Sequence, residues 1–308
     1  MVDTAPDTRS RRIRVAGTRT AGRVRSWRMR IFVVAAILLI AWISPGQAHD
    51  GIFDWLTAHE ALNGDPYRPL HEIALDHGLV PAYEWLSPHP RLPGALLLQV
   101  PLVLVPFEWL PFVLRTVVGL SLASVALFVR PSWLWLLFAV PAFHAFWYGQ
   151  TSAVVTLLVA VAVSRMVGWP VGVAATMRMW PWFLGLAFLV VGRWRAALAS
   201  AAVFFGLNLA GLALPGVTWE GTRGLFVEAS TRYATNPSNL MAFVPWWVGV
   251  GVAGLILWRI RVRPVLFPFA VVAALLASPV VWMHYLTVLA VAIGKAPRSS
   301  RRRTEGLR

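Results

Sequence analysis

The sequence predicts an all-α fold, a polytopic transmembrane bundle of about ten helices. The chain has 308 residues, of which 58% are hydrophobic and only 13% charged, and its mean hydropathy is +0.64. These values lie well outside the range of ordinary soluble domains. Apolar segments recur along the chain between Pro, Gly and Arg, and helices are the usual way to satisfy the backbone in lipid. Cysteine is absent, which excludes disulfides and thiolate chemistry.

The predicted membrane helices follow from apolar segments that are long enough, or nearly so, to cross about 30 Å of hydrocarbon. They lie near 31–46, 93–107, 111–129, 133–147, 150–168, 170–191, 195–214, 240–258, 265–278 and 280–294.

The positive charge predicts the orientation of the chain in the membrane. The formal net charge is +15, and arginines are concentrated in residues 9–30 and 298–308. Positive charge beside apolar helices stays on the cytoplasmic side and attracts anionic lipid headgroups, so no nucleic-acid partner is required. We therefore expect a basic cytoplasmic segment (1–30), a transmembrane domain (31–294) and a basic cytoplasmic tail (295–308), in a bacterial cytoplasmic membrane. A cleaved signal peptide is not predicted.

Two longer polar stretches, 47–92 and 215–239, are then extracytoplasmic. The first holds seven of the thirteen acidic residues of the chain. Its apolar spacing predicts helices that lie along the membrane surface. This concentration of acids on one face predicts a site for a membrane-borne substrate.

Several short motifs occur in a distinctive order along the chain. They are an Asp just after the first apolar run (Asp50) with a "GDPY" ending at residues 64–67, "SPHPRLPG" at 87–94, "YGQ" at 148–150, "MRMWP" at 177–181, "GRWRAAL" at 192–198, "NPSN" at 236–239 and "SPVVWMHY" at 278–285.

These motifs resemble glycosyltransferase family 87, membrane mannosyltransferases of the GT-C superfamily that use a polyprenyl-phosphate-mannose donor. The resemblance implies a GT-C type bundle whose active site faces outside, and an inverting transfer of a sugar to a lipid or glycan acceptor. Arg178 stands where the family has Lys, and Met283 where an acid often precedes the histidine. The chain stops soon after His284, whereas the family usually continues, so a C-terminally shortened member is expected.

The resemblance also implies roles for individual residues. Asp50 is the expected catalytic base, with Asp54 one turn later as the alternative base or a ligand of the acceptor hydroxyl. Residues expected to bind the donor phosphate are Arg178, His284 and Arg91. Residues expected to bind the substrate are Tyr67, Gln150 and Asn236.

The proposed chemistry needs few groups. The leaving phosphate already carries its negative charge well, so one carboxylate that takes the proton of the acceptor hydroxyl is sufficient. Developing charge on the phosphate requires fixed cations and hydrogen-bond donors in a dry site. Paired acids of the Asp-x-Asp type are absent from the sequence, so neither a divalent metal nor another cofactor is predicted.

Each candidate residue has a simpler alternative explanation. Asp50 precedes an apolar run and could serve only as a helix N-cap. Arg178 could extend to the lipid headgroups, and His284 could be a packed, hydrogen-bonded core residue. Asn236 precedes a proline, as turn residues often do.

Other classes of protein remain as alternatives at this point. The sequence lacks the Gly-x-Ser-x-Gly elbow of hydrolases and a Gly-rich phosphate loop. A transporter is the main rival, since arginine and histidine in broken membrane helices also mark solute paths. The third possibility is a catalytically inactive membrane partner of a larger glycosyltransferase.

Overall fold

The computed structural model describes residues 29–44, 48–79, 91–130, 133–224, 227, 245–278 and 281–294. Within these ranges the protein is helical and has no strand, which confirms the all-α prediction. The chain divides into two compact units, Met1–Ser44 and Pro45–Arg308. The described part of the first unit consists mainly of helix α1 (Met29–Ile43). Most of the exposed side chains of this helix are apolar.

The second unit contains the remaining described helices. They are α2 (His49–Asn63), α3 (Leu70–Asp76), α4 (Pro93–Gln99), α5 (Leu110–Phe128), α6 (Ala139–Trp147), α7 (Ser152–Arg165), α8 (Trp169–Met177), α9 (Trp182–Val190), α10 (Trp194–Gly211), α11 (described from 219 to 224), α12 (Trp246–Val262), α13 (Ala270–Leu276) and α14 (Leu289–Ile293).

Tighter 3-10 turns interrupt or extend several of these helices. They lie at Val100–Leu104, Phe107–Trp109, Trp133–Phe138, Pro264–Phe269 and Met283–Val288. Two of them, Val100–Leu104 and Pro264–Phe269, carry proline at their first or second position, and the second also has Pro268 inside it. Because proline lacks an N–H and clashes with the preceding turn, it prevents a long regular α-helix.

These interruptions bear on the predicted number of membrane crossings. Among the described residues, the continuous helical stretch Phe107–Phe128 is the one that is both long and apolar enough to cross a membrane. The other apolar helices are shorter, so the figure of about ten crossings remains a prediction.

The segment predicted at 170–191 is two helices instead of one. α8 ends at Met177 and α9 begins at Trp182. Arg178 has an extended backbone, and Pro181 stands just before α9. Proline cannot supply the N–H that a continuous helix would need here, so the polar Arg178 lies in a break between two short apolar helices.

The core has two parts that matter for the site. A large apolar cluster joins α7, α8, α9, α13 and α14, with Phe188, Leu184 and Val271 almost fully buried. A smaller cluster packs the start of α2 and α3 against α5 through residues such as Ile52, Leu56 and Leu110. The first turn of α2 therefore packs on α5, the longest of the described α-helices.

Candidate active site

The start of α2 is held close to a glycine turn that precedes α7. The Gly51 N–H donates to the Tyr148 carbonyl at 3.3 Å. Gly149 has a left-handed backbone with φ +65°, and a Cβ there would lie 2.9 Å from the Ala48 Cβ. Any side chain at Gly51 would meet Leu114. Glycine at both positions thus lets the "YGQ" turn approach the first turn of α2, where Asp50 lies.

Asp50 is half-buried in the first turn of α2, and it is not the N-cap. Ala48 occupies the N-cap position, and no side chain caps this helix. The alternative in which Asp50 serves only as a cap is therefore wrong. A carboxylate in the first turn still gains from the positive end of the helix dipole.

Asp54 forms a buried ion pair with Arg91. Arg91 Nε donates to Asp54 Oδ1 at 2.8 Å, and Nη2 donates to the same oxygen. Asp54 is 1% exposed and Arg91 5%. Asp54 lies one helical turn after Asp50, and Arg91 comes from the segment just before α4. The pair therefore fastens α2 to α4, a contact that the sequence did not predict.

Arg178 reaches from the break between α8 and α9 to the "YGQ" turn. Its Nη2 lies 3.3 Å from Gln150 Oε1 and 3.3 Å from Thr151 Oγ1 and donates to both. Its Cζ lies 6.0 Å from the centre of the Tyr285 ring. Arg178 Nε is buried without a hydrogen-bond partner among the described residues. The guanidinium is thus turned inward, with one donor still available, which disfavours the alternative that it extends to the headgroups.

His284 lies in the 3-10 helix Met283–Val288, which a hydrogen bond between Thr287 and Thr156 (2.9 Å) joins to α7. Its ring is 7% exposed and stacks on His144 of α6 with centroids 5.8 Å apart. The Tyr285 ring contacts its edge at 4.7 Å. His284 Nε2 is buried and has no hydrogen-bond partner in the described part of the chain.

These groups influence one another electrostatically. Burial raises the pKa of Asp50 from 3.8 to about 6; the charge of Arg178 lowers it, that of Asp54 raises it and that of Arg91 lowers it. Burial lowers the pKa of Arg91, and the charge of Arg178 lowers it further. The His284 ring is also within electrostatic reach of Arg178 and Arg91. The structure thus brings together Asp50, Asp54, Arg91, Arg178 and His284, with Gln150 bonded to Arg178.

Two further predicted residues lie elsewhere. The Tyr67 hydroxyl bonds to Thr222 Oγ1 at 2.6 Å and to the Thr218 carbonyl at 3.3 Å, and its ring packs in a separate cluster with Ala61 and Leu96. Asn236 lies outside the described residues.

His144 belongs to the group but was not predicted. It is a single histidine in the apolar helix α6, with no motif beside it, so its meeting with His284 could not be read from spacing. The one signal in the sequence is that Tyr148 follows His144 by four residues, which puts both on one face of a helix. Their ring centres do lie 4.5 Å apart.

A cavity of about 300 Å³ lies away from this group. It is lined by Val252, Leu255, Ile256, Arg259, Ile260, Leu266 and Phe269. None of the predicted catalytic or phosphate-binding residues is in this lining, and the walls are apolar apart from Arg259. This cavity therefore does not coincide with the polar group at the start of α2.

The class of protein defined so far is a strongly apolar chain, helical in its described part, with a half-buried carboxylate within electrostatic reach of two arginines. Over 83 residues, the chain is 41% identical to the polyprenol-phosphate-mannose-dependent alpha-(1-2)-phosphatidylinositol pentamannoside mannosyltransferase of Mycolicibacterium smegmatis. The match covers 26% of this chain and 18% of that relative. The chain is thus related, over part of its length, to a mannosyltransferase. No protein-family profile matches it, and no solved structure matches it.

Proposed function

We propose that the protein is a membrane glycosyltransferase that moves a sugar, mannose in the first instance, from a polyprenyl phosphate to a lipid or glycan acceptor. The observation that carries this proposal is the position of Asp50, a half-buried carboxylate with a pKa of about 6, within electrostatic reach of Arg178 and Arg91, the two arginines that also act on His284. The partial identity with a mannosyltransferase supports the choice of donor.

Asp50 is the proposed general base. As the acceptor oxygen forms its bond to the anomeric carbon of the sugar, Asp50 takes the hydroxyl proton. The bond from that carbon to the phosphate oxygen breaks on the opposite face, and the phosphate leaves with the electron pair, so the configuration inverts. A pKa near 6 leaves the carboxylate ionised at neutral pH and more basic than an exposed aspartate.

The donor phosphate is assigned to Arg178 and His284. Each carries a buried nitrogen without a hydrogen-bond partner in the described residues, Nε of Arg178 and Nε2 of His284. Buried polar groups of this kind are costly unless a ligand or water satisfies them. Phosphate oxygens would accept from both, and the guanidinium charge would stabilise the leaving group.

Asp54 and Arg91 act as a pair in this proposal. Because Arg91 occupies Asp54 Oδ1, Asp54 is the weaker candidate for the base. Arg91 then supplies positive charge near the phosphate while Asp54 holds it in place. Gln150 orients Arg178, and Asn236 remains a proposed sugar ligand. Tyr67, which is bonded to Thr222, is assigned to holding the two extracytoplasmic stretches together.

The proposed location is the bacterial cytoplasmic membrane, with multiple crossings, both termini in the cytoplasm and the site outside. Large exposed apolar side chains such as Leu198, Phe205 and Leu209 of α10 support a lipid environment for the second unit, since soluble monomers rarely expose such continuous apolar surface.

The decisive experiment is transfer of radiolabelled mannose from polyprenyl-phosphate-mannose to membrane lipids by the purified full chain. Asp50→Asn should lower turnover by roughly 10²-fold or more, the usual contribution of a general base. The matched control is Glu72→Gln, which changes an exposed acid on α3 in the same way and should leave turnover unchanged. Transfer that survives Asp50→Asn would remove Asp50 as the base, and failure of the wild type with every acceptor would reject the transferase.

A solute transporter is the second candidate, and the break at Arg178 favours it. Interrupted helices with a charged residue at the break are typical of transporter substrate sites. Uptake of a labelled solute by proteoliposomes that contain the wild type, lost in Arg178→Gln and absent from the transfer assay, would favour this candidate.

A further inference from the structure

Two histidines and a glutamate meet on the surface helices, apart from the proposed active site. His59 and Glu60 are consecutive residues in α2, and His77 is the C-cap of α3. One ligand atom from each lies within 4.8 Å of the other two. The rings of His59 and His77 meet at 4.6 Å, edge to face, and Trp55 contacts both at 5.5 Å.

The spacing of these atoms is close to what a tetrahedral metal ion requires. His77 Nε2 lies 3.3 Å from Glu60 Oε1. Two ligand atoms of a tetrahedral zinc ion, each about 2.1 Å from the metal, are roughly 3.4 Å apart. The His77 and Glu60 atoms are already at that separation, and the His59 nitrogen lies within 4.8 Å of both, so it would move closer on binding. His59 Nδ1 is buried and has no hydrogen-bond partner in the described chain.

The glutamate is held in an orientation that suits a metal ligand. Its Oε2 accepts from Arg68 Nη2 at 3.0 Å and from the Asp65 N–H at 3.2 Å, which leaves Oε1 directed at the histidines. Such outer contacts fix ligating carboxylates in metal sites. Arg68 also pairs with Asp76 at 2.9 Å. Glu60 and Asp76 together carry two negative charges against the one positive charge of Arg68, which favours a cation beside them.

We propose that His59, Glu60 and His77 bind a divalent transition-metal ion of borderline softness, with zinc as the best fit, and that the ion fastens α3 to the second half of α2. Two imidazoles and one carboxylate form a zinc-type ligand set, with water in the fourth position. On binding, the ion takes the place of the hydrogen atom between His77 Nε2 and Glu60 Oε1, and the His77 imidazole then carries its one proton on Nδ1. The ion takes no part in the sugar chemistry. The metal site can therefore be confirmed or rejected whether or not the protein transfers a sugar.

The test uses the purified full chain with a tag that contains no histidine, stripped with chelator and titrated with zinc by calorimetry. Metal content is then measured by mass spectrometry. The wild type should bind about one equivalent, and zinc should raise its melting temperature. His59→Gln and His77→Gln should each weaken binding by at least about tenfold, the scale on which zinc sites respond to ligand changes. His71→Gln, on α3 but outside the cluster, is the matched control and should bind as the wild type does.

The proposal is overturned if the stripped wild type binds no zinc, if both cluster variants bind zinc as the wild type does, or if His71→Gln weakens binding equally. If His77→Gln does not fold, His59→Gln decides the question, because the described contacts of the His59 side chain are ring contacts with Trp55 and His77, which hold the fold less firmly than the His77–Glu60 bond.

Discussion

Asp50 gives a pH dependence that can be predicted in sign and position. As a base it must be ionised, and its pKa lies near 6 because burial raises it. Turnover should therefore rise through about pH 6 and level off above it. The Arg178 charge lowers this pKa, so the midpoint of the residual activity of Arg178→Gln should lie at higher pH. Initial rates between pH 5 and 8 measure both, and a flat wild-type profile would contradict the assignment.

The ionised carboxylate of Asp50 should also lower the free energy of unfolding at neutral pH. Its pKa is raised on folding, so folding is favoured while it is protonated, below about 3.8, and this contribution is lost as the pH rises through 6. Asp50→Asn removes the penalty and should stabilise the protein by about 1–3 kcal/mol at pH 7.5. Thermal melts at pH 4 and pH 7.5 test this, because the gain should be much smaller at pH 4, where Asp50 is protonated in the folded protein. Glu72→Gln should show no such difference.

Replacing one member of the Asp54–Arg91 pair should destabilise the protein more than replacing both. Asp54→Asn leaves the buried Arg91 without its main counter-charge and should cost about 3–5 kcal/mol. The double variant Asp54→Leu with Arg91→Met removes both charges and should melt closer to the wild type. Melting temperatures of the three proteins decide this. A double variant that is less stable than Asp54→Asn would show that the pair is worth more than its desolvation cost.

At the scale of elements, α8 and α10 approach closely because α8 carries glycine at the contact. A Cβ at Gly172 would lie 2.5 Å from the Ser200 carbonyl oxygen of α10, whereas a Cβ at Gly206 of α10 would meet nothing within 4 Å. Gly172→Ala should therefore destabilise the protein by about 1–3 kcal/mol through overpacking. Gly206→Ala is the control and should be neutral or slightly stabilising, since alanine favours helix. Equal melting temperatures of the two variants would show that the helices can separate without cost.

The existence of most helices could be predicted from apolar periodicity, but their interruptions could not. The segment 195–214 corresponds to α10 with small shifts at its ends, whereas 170–191 is broken at Arg178. Hydropathy averages over a window and therefore overlooks one arginine and one proline. The same interruption explains why Arg178 tolerates an apolar setting, because the C-terminal end of α8, with its negative dipole, is next to it.

The candidate site could be predicted residue by residue but not as a set of contacts. Asp50, Arg178, Gln150 and His284 were each indicated by a motif, and the structure brings them together. The bond between Asp54 and Arg91 joins positions 37 residues apart, and it depends on how α2 packs on α4. Similarly, His144 meets His284 only because α6 packs against the 3-10 helix at 283–288. Such pairings depend on tertiary packing, which no local pattern encodes.

At the scale of the whole molecule, the composition predicts many membrane crossings, whereas the lengths of the described helices support few. A chain that is 58% hydrophobic has one described helical stretch that is long enough by itself. The shorter pieces occur in adjacent pairs, such as 264–269 followed by α13 and 283–288 followed by α14. Paired pieces of 3-10 and α-helix lengthen a span, because a 3-10 turn rises about 2 Å per residue.

The predicted orientation can be tested directly because the chain has no cysteine. Single cysteines at Asp76, on the predicted outer stretch, and at Arg195, between predicted crossings on the inner side, are both at exposed positions. In intact cells with the outer envelope made permeable, a maleimide that cannot cross the cytoplasmic membrane should label Asp76→Cys and not Arg195→Cys. Arg195→Cys should react only after the cytoplasmic membrane is opened, and the unchanged chain should not react at all. If both cysteines react from the same side, an even number of crossings lies between Asp76 and Arg195, instead of the odd number that the orientation predicts. If both react only after the cytoplasmic membrane is opened, the proposed site faces the cytoplasm, where positive charge is retained, and the donor would have to be sought on that leaflet.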